Sequence, residues 1–396
     1  MHETVDHVLS TASRRHPALG IIGGGQLAKM TAMAALRLGC EVSVLERQAF
    51  GPAANLATHF ITGDWNDPAT LRAFAAHVDV VTFENEFVDA ASLIALEEAG
   101  VPLFPTSASL VIVQDKLRQK EALQAAGLPV APSVATATRA DVTRAAEAWG
   151  WPLVLKARRD AYDGKGNATL RSAADVDVAW ERLGGDHGRA LYVERFCPFV
   201  AELAIITTRG RDGQTVSYPV VETVQRDHIC HVVKAPADVP AEVAARVQAV
   251  AERAIEAVGA VGSFGVELFL QSDGEVVVNE LAPRVHNSGH YTIEACACSQ
   301  FENHVRAVMG WPLGDTTMRA PAAVMINLLG TGVGSGWPSG LADALGASDA
   351  TVHLYGKRTS SAGRKMGHVT ALGATLALAE RAAVRAASRL TFGDPA

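Results

Sequence analysis

The sequence predicts a multi-domain chain of mixed α/β and α+β class, opening on a Rossmann-like parallel sheet and ending in β-rich units. Three observations carry this. Residues 19–46 follow a strand, Gly-rich turn, helix, strand pattern. Residues 266–280 form two apolar, β-rich runs around Asp273-Gly274, and Asp-Gly so placed is the strongest short-range hairpin signal. The 396 residues exceed what one small core supports, so two or three domains are expected.

Composition narrows the functional classes. Hydrophobic residues make up 48% and charged ones 19%, an ordinary globular balance. No apolar run approaches the roughly 18 residues of a membrane span, so no membrane partner is expected. The net charge of -7 argues against nucleic acid, although local basic clusters can still hold small anions. Five scattered cysteines without metal-ligand spacing read as buried or free thiols of a reducing cytoplasm. Residues 1–17 lack an apolar core of signal-peptide length and are expected to form a flexible extension.

The first domain is expected over 18–112. Leu19-Gly20-Ile21-Ile22 is a strand, Gly23-Gly24-Gly25-Gln26-Leu27-Ala28 a turn into a helix, and Glu41–Leu45 a strand ending on Glu46. This fits a dinucleotide fingerprint, G-x-G-x-x-A with a following acidic residue. The same turn suits any phosphate, and close helix–strand packing alone also explains the glycines. A further strand, Val78–Phe83, ends in Glu84, where open sheets bind ligands; capping of the next helix is the other reading.

The second domain is expected over 113–316. A helix opens at Gln114-Asp115-Lys116. In the strand Leu153–Arg159, Lys156 sits among apolar neighbours, a costly position without an anionic partner, unless the side chain snorkels to the surface. The loop Asp160–Asn167 carries Gly164, Lys165 and Gly166 and can fold over phosphates with its N–H groups, or be a plain mobile hairpin loop. The strand Leu191–Phe196 offers Glu194, Arg195 and Phe196 as an edge for a base, and Glu202 opens the next strand.

The hairpin then brings two carboxylates together. A two-residue type I′ turn at Asp273-Gly274 sets Ser272 against Glu275 and, counting outward, Glu267 against Glu280. Directly opposed like charges destabilise a strand pair, so a divalent cation between them is the functional reading. Two solvated carboxylates on an exposed face are the alternative. Asn279-Glu280 runs straight into Arg284, His286, Asn287, Ser288 and His290. Metal-binding carboxylates followed by anion-binding donors suit transfer of a phosphoryl group.

The third domain is expected over 317–396. An apolar strand at 322–330 precedes a second basic cluster, Lys357-Arg358 and Arg364-Lys365, which suits a sugar phosphate or, as the alternative, a solvated hairpin tip. Residues 371–390 read as a helix.

Four strings resemble one family: Gly23–Leu27, Tyr162–Gly166, Asn279–His290 and Ser299–Glu302. Together they look like N5-carboxyaminoimidazole ribonucleotide synthetases of the ATP-grasp superfamily, over about residues 18–378. The resemblance implies three domains with a central two-lobed grasp, a homodimer, and ATP-dependent carboxylation of aminoimidazole ribonucleotide by bicarbonate in purine synthesis. It implies that Lys116 and Lys156 hold ATP phosphates, Glu194 with Arg195 and Phe196 takes adenine, and Glu202 takes ribose. Asp163, Gly164, Lys165, Gly166 and Asn279 complete the nucleotide site. Glu267 and Glu280 are then ligands of Mg²⁺, with Mn²⁺ as a substitute. Tyr162, Asp163, Arg284 and Lys357 are the expected catalytic groups. Gly25, Gln26, Leu27, Glu84, Tyr162, His286, Asn287, Ser288, Lys357 and Arg364 are expected to contact the ribonucleotide. The chain departs from the family at Asp160-Ala161, usually Gly-Gly, and at Asn167, usually Gln. Rival readings are a formate-dependent ATP-grasp ligase, a nicotinamide-dependent oxidoreductase and a non-catalytic nucleotide-binding protein.

Overall fold

A computed structural model describes residues 16–160, 166–226, 228–346 and 349–393. The first sheet is parallel, in the order β3-β2-β1-β4: β1 (Ala18–Ile22), β2 (Glu41–Glu46), β3 (His59–Thr62) and β4 (Val80–Phe83). β1 and β4 are buried at every residue, as a strand covered on both faces requires. Helix α1 (Gln26–Arg37) follows the Gly-rich turn and buries Leu27, Ala28, Met30 and Ala35. Its apolar side joins one core cluster with Phe301, Val305 and Val308, so the first sheet is anchored on the grasp region.

Helix α2 (Lys116–Ala125) starts on an Asp115 cap, whose carboxylate accepts from the Leu117 and Arg118 N–H groups. The same carboxylate receives the Arg158 guanidinium at 2.7 and 2.9 Å, fastening α2 to the end of the next sheet. That four-stranded antiparallel sheet, in the order β5-β8-β6-β7, comprises β5 (Ser133–Thr136), β6 (Leu153–Ala157), β7 (Asn167–Leu170) and β8 (Leu191–Arg195). Helices α3 (Arg139–Trp149) and α4 (Val176–Arg182) cover one face and bury Leu153, Leu155 and Ala157. The alternation of β6 turns Lys156 to the opposite face.

The largest sheet runs β14-β13-β9-β11-β12-β15-β19-β17, with β10 on β9. Its first members are β9 (Phe199–Arg209), β10 (Thr215–Ser217), β11 (Val221–Arg226), β12 (Ile229–Ala235), β13 (Gly262–Gln271) and β14 (Val276–Ala282). Helix α5 (Ala241–Ala257) sets Val243, Val247, Val250 and Ala254, spaced by three or four, against Leu203, Ile205, Phe264, Val266 and Leu268. The intervening residues of β9 and β13 face the other way. Helix α6 (Gln300–Met309) packs beside β13.

Strands beyond residue 317 continue this sheet. β15 (Ala322–Leu329) pairs antiparallel with β12, and β19 with both β15 and β17. β16 (Gly334–Ser335) and β18 (Thr359–Ser360) form a separate ribbon beside β17 (Ala350–Leu354) and β19 (Lys365–Gly373). Helix α7 (Leu376–Ala387) covers β15 and β19 with Ala379, Ala382, Ala383 and Ala386. The expected helix over 371–390 is therefore too long at its start. Residues 371–373 finish a strand paired with β15, and Thr375 caps the helix by accepting from Leu378 N–H. No helix among the described residues is long and apolar enough to cross a membrane.

Candidate active site

The hairpin places Glu267 opposite Glu280, as counted from the sequence, but by another route. The loop has three residues, not two. Gly274, at φ 84°, closes it in a left-handed conformation, with Gly274 N–H donating to Gln271 O at 3.0 Å and Gln271 N–H to Glu275 O at 2.9 Å. Leu270 then pairs with Val276 and Leu268 with Val278, a register that leads to Asn279 opposite Glu267. A bulge at Asn279 adds one residue and returns Glu280 to Glu267. Both carboxylates share the face turned away from the α5 core.

Burial, and then the Glu280 charge, raise the Glu267 carboxyl to about 7. The Glu280 carboxylate meets Lys116 Nζ at 3.1 Å, and Glu267 Oε1 lies 3.4 Å from His286 Nε2. Burial works against the Lys116 ammonium, but Glu280 and Glu86 outweigh it and raise its pKa. Burial, then Arg284 and Lys365, hold the His286 imidazole down at about 3, so it is neutral.

Beside this pair lies a buried Lys–Glu–Lys cluster. Lys156 on β6 bonds Glu194 on β8, and its Nζ donates to Asn279 Oδ1 at 3.4 Å. Lys120 on α2 approaches the other Glu194 oxygen at 3.5 Å and donates to Val278 O at 3.0 Å. Burial penalises Glu194, yet Lys120 and Lys156 prevail and keep its carboxyl below the usual range. Lys120 is absent from the sequence-based site. Its signal was the Lys116-x-x-x-Lys120 spacing, which puts two ammonium groups on one helix face. Arg195 is exposed and Phe196 half-buried. Glu202 lies on the Glu267 face of the sheet, across from Phe269, and burial raises its carboxyl.

Tyr162, Asp163, Gly164 and Lys165 lie outside the described residues. The loop's flanks are described. Gly166 is buried and its carbonyl accepts from Ala157 N–H at 2.9 Å. Asp160 takes φ 55°. That left-handed conformation favours Gly and admits Asp.

Near the acid pair, the Arg284 guanidinium forks onto Glu86 at 2.7 and 3.4 Å. Burial opposes the Glu86 carboxylate, but Arg284 brings it down to about 2. Glu86 is absent from the sequence-based site. His286 Nδ1 pairs with Ser288 Oγ at 2.9 Å, while Gln300 clasps the His286 backbone from both sides at 2.9 and 2.7 Å. Asn287 and Asn327 exchange amide hydrogen bonds at 2.9 and 2.6 Å, joining the loop to β15. Lys357 Nζ donates to Lys365 O at 2.6 Å, and exposed Arg364 donates to Thr359 O at 2.8 Å.

The Gly-rich turn is filled by the chain's own carboxylates. Gly24 N–H donates to Glu46 at 2.7 Å, and Gly25 and Ala28 N–H donate to Glu84 at 2.7 and 2.9 Å. Glu84 thus caps the preceding helix α1, not the following one. A Cβ on Gly23 or Gly25 would overlap the Glu84 side chain, so these glycines serve carboxylate packing. Donors needed by a dinucleotide pyrophosphate are already used, which removes the main support of the oxidoreductase reading. Leu27 is buried in the α1 core, and Gln26 is half-buried at the helix start.

Comparison with known proteins agrees with this arrangement. Residues 17–114 match the ribonucleotide synthetase preATP-grasp domain, 121–301 the ATP-grasp domain, and 323–382 the phosphoribosylaminoimidazole carboxylase C-terminal domain. The chain is 42% identical over 357 residues to the N5-carboxyaminoimidazole ribonucleotide synthase of Synechococcus elongatus, covering 89% of this chain and 88% of that one. The crystal structure of the Thermotoga maritima synthetase is similar with TM-score 0.85 at 36% identity, covering 95% and 99% of the two chains. The Aspergillus clavatus synthase in complex with ADP and 5-aminoimidazole ribonucleotide is similar with TM-score 0.84 at 36% identity, covering 93% and 96%. Three matched domains in this order, built around the facing acid pair, lead to one conclusion: the chain belongs to the N5-carboxyaminoimidazole ribonucleotide synthase family of ATP-grasp ligases.

Proposed function

We propose that the chain uses ATP and bicarbonate to carboxylate the exocyclic amine of 5-aminoimidazole ribonucleotide, giving N5-carboxyaminoimidazole ribonucleotide in de novo purine synthesis. The observation that carries this is the facing pair Glu267 and Glu280, flanked by Lys116 and His286 and reached by the charge of Arg284. The pair fits a hard divalent cation: all its donors are oxygens, and burial, then the Glu280 charge, holds Glu267 up near 7, which a bound cation would relieve. Mg²⁺, with Mn²⁺ as a substitute, would there neutralise the triphosphate charge.

In this reading Lys116, Lys156 and Asn279 line the phosphates, with Asp163, Gly164, Lys165 and Gly166 closing over them. Glu194, Arg195 and Phe196 take the base and Glu202 the ribose. A bicarbonate oxygen attacks the γ-phosphorus and ADP leaves, so carboxyphosphate forms. Its C–O bond to the phosphate breaks, releasing CO₂ and phosphate, and the amine nitrogen captures the CO₂ carbon. Asp163 receives the amine proton, with Tyr162 and Lys357 orienting the nucleophile and Arg284 stabilising developing negative charge. Gly25, Gln26, Leu27, Glu84, His286, Asn287 and Ser288 shape the ribonucleotide cleft, and Lys357 and Arg364 hold its phosphate. The proposed domains are 18–112, 113–316 and 317–396 after an extension at 1–17, in a cytoplasmic homodimer.

The test is ADP release with ¹³C-bicarbonate as the carbon source. ADP release dependent on ribonucleotide, with label on the product carbamate, is expected. Formylated product from formate, or ADP release without label transfer, would overturn the assignment.

A further inference from the structure

Three side chains that the carboxylation leaves unused meet where the turn of helix Thr292–Ala295 touches β17 and β19. His353 Nε2 lies 2.6 Å from Glu294 Oε1. The His353 and His368 rings stack with centroids 4.4 Å apart and 11° between their planes. One ligand atom from each of Glu294, His353 and His368 lies within 4.8 Å of the others. His368 is fully buried, yet its Nε2 has no hydrogen-bond partner among the described residues, and neither has Glu294 Oε2. Buried polar atoms are nearly always paired, so an unpaired one on each of two residues of this cluster points to an absent partner.

The neighbouring groups define that partner. Tyr355 Oη lies 3.1 Å from His368 Nδ1. In the tautomer whose Nδ1–H donates to Tyr355 Oη, His368 Nε2 presents a bare lone pair. A metal-ligating histidine is oriented in this way, its second nitrogen bonded to an oxygen. The missing group accepts electron pairs from an imidazole nitrogen and from a carboxylate oxygen.

We propose that Glu294, His353 and His368 form a site for one borderline divalent transition ion such as Zn²⁺. Two imidazole nitrogens and a carboxylate oxygen are a ligand set such ions accept, with water in the fourth position. His353 borders a cleft lined by Met30, Met33 and Cys296, through which that water enters. A tetrahedral ion with bonds of about 2.0 Å needs ligand atoms about 3.3 Å apart, so the His353–Glu294 pair at 2.6 Å opens and one imidazole turns out of the 11° stack to aim its in-plane lone pair at the ion. Binding replaces the His353–Glu294 hydrogen bond and uses the His353 tautomer that carries its proton on Nδ1. The ion would pin the Thr292–Ala295 turn to the strands that carry His353 and His368, next to Tyr355, two residues before Lys357. It is separate from the all-oxygen pair Glu267 and Glu280, which suits a hard cation.

The test uses the full chain, stripped with chelator and titrated with Co²⁺ in magnesium-free buffer. Visible absorption of tetrahedral Co²⁺ is expected to saturate at one equivalent per chain and to be displaced by Zn²⁺. His353→Gln and Glu294→Gln are each expected to weaken binding at least tenfold, while Glu280→Gln leaves the absorption unchanged. Both variants alter partly exposed groups, and circular dichroism checks their folding; the wild-type titration stands whatever they do. No tetrahedral absorption in the wild type, a signal surviving both variants, or one lost with Glu280→Gln would overturn the proposal.

Discussion

Replacing Glu267 with Gln should stabilise the ligand-free protein while abolishing its turnover. Glu267 is raised from 4.5 to about 7 by burial and by Glu280. A carboxyl whose folded pKa exceeds its unfolded value contributes stability that is fully present below about 4.5 and lost as pH rises through about 7. That shift corresponds to a cost of about 3 kcal/mol at pH 8. Because 29% of the side chain meets solvent, about 2 kcal/mol is the better expectation. Glu267→Gln removes the ionisable group and keeps the shape. Guanidinium unfolding without nucleotide or divalent cation should therefore show the variant about 2 kcal/mol more stable at pH 8, with the gain shrinking toward pH 4.5. An equal or lower stability at pH 8, or a gain independent of pH, would refute the electrostatic strain at this pair.

Other substitutions test other parts of the site. Lys120→Met leaves Glu194 with Lys156 as its remaining ammonium; a loss of about 3 kcal/mol in urea unfolding and a raised KM for ATP are expected. Gly25→Ala would push the Glu84 carboxylate off the α1 N-terminus, although Gly25 at φ -77° has no need of glycine's backbone freedom. Thermal unfolding should show about 2–3 kcal/mol lost, and a neutral result would mean the cap can move aside. Arg364→Ala should raise the ribonucleotide KM roughly tenfold or more with little change in kcat, since one charged hydrogen bond to phosphate is worth about 1.5–3 kcal/mol. An unchanged KM would remove Arg364 from the phosphate site.

Much of the site was legible because strand periodicity and turn chemistry act locally. The opposition of Glu267 and Glu280 could be counted from the hairpin, but only because two departures cancelled. A three-residue loop moved the register by one, and the Asn279 bulge moved it back. Neither follows from alternation alone, since bulges answer to tertiary packing. Lys156 announced itself by sitting between apolar strand residues, whereas Lys120 did not, because a lysine in a helix is ordinarily solvated. Its burial arises only when α2 meets β8 and β14. The Gly23–Ala28 turn read equally as a phosphate cradle. Its occupation by Glu46 and Glu84 depends on strand ends brought together by the sheet. Likewise the end of β19 was hidden because Ala371 and Leu372 suit a helix, and only pairing with β15 and β17 fixes it as a strand.

Glu267 and Glu280 are expected to grip jointly the cation of a bound triphosphate. Electron paramagnetic resonance of Mn²⁺ titrated into the protein with a non-hydrolysable ATP analogue measures this directly. Tight nucleotide-dependent Mn²⁺ binding, weakened at least tenfold in Glu280→Gln, is the predicted result. Equal Mn²⁺ affinity in Glu280→Gln and wild type would contradict it.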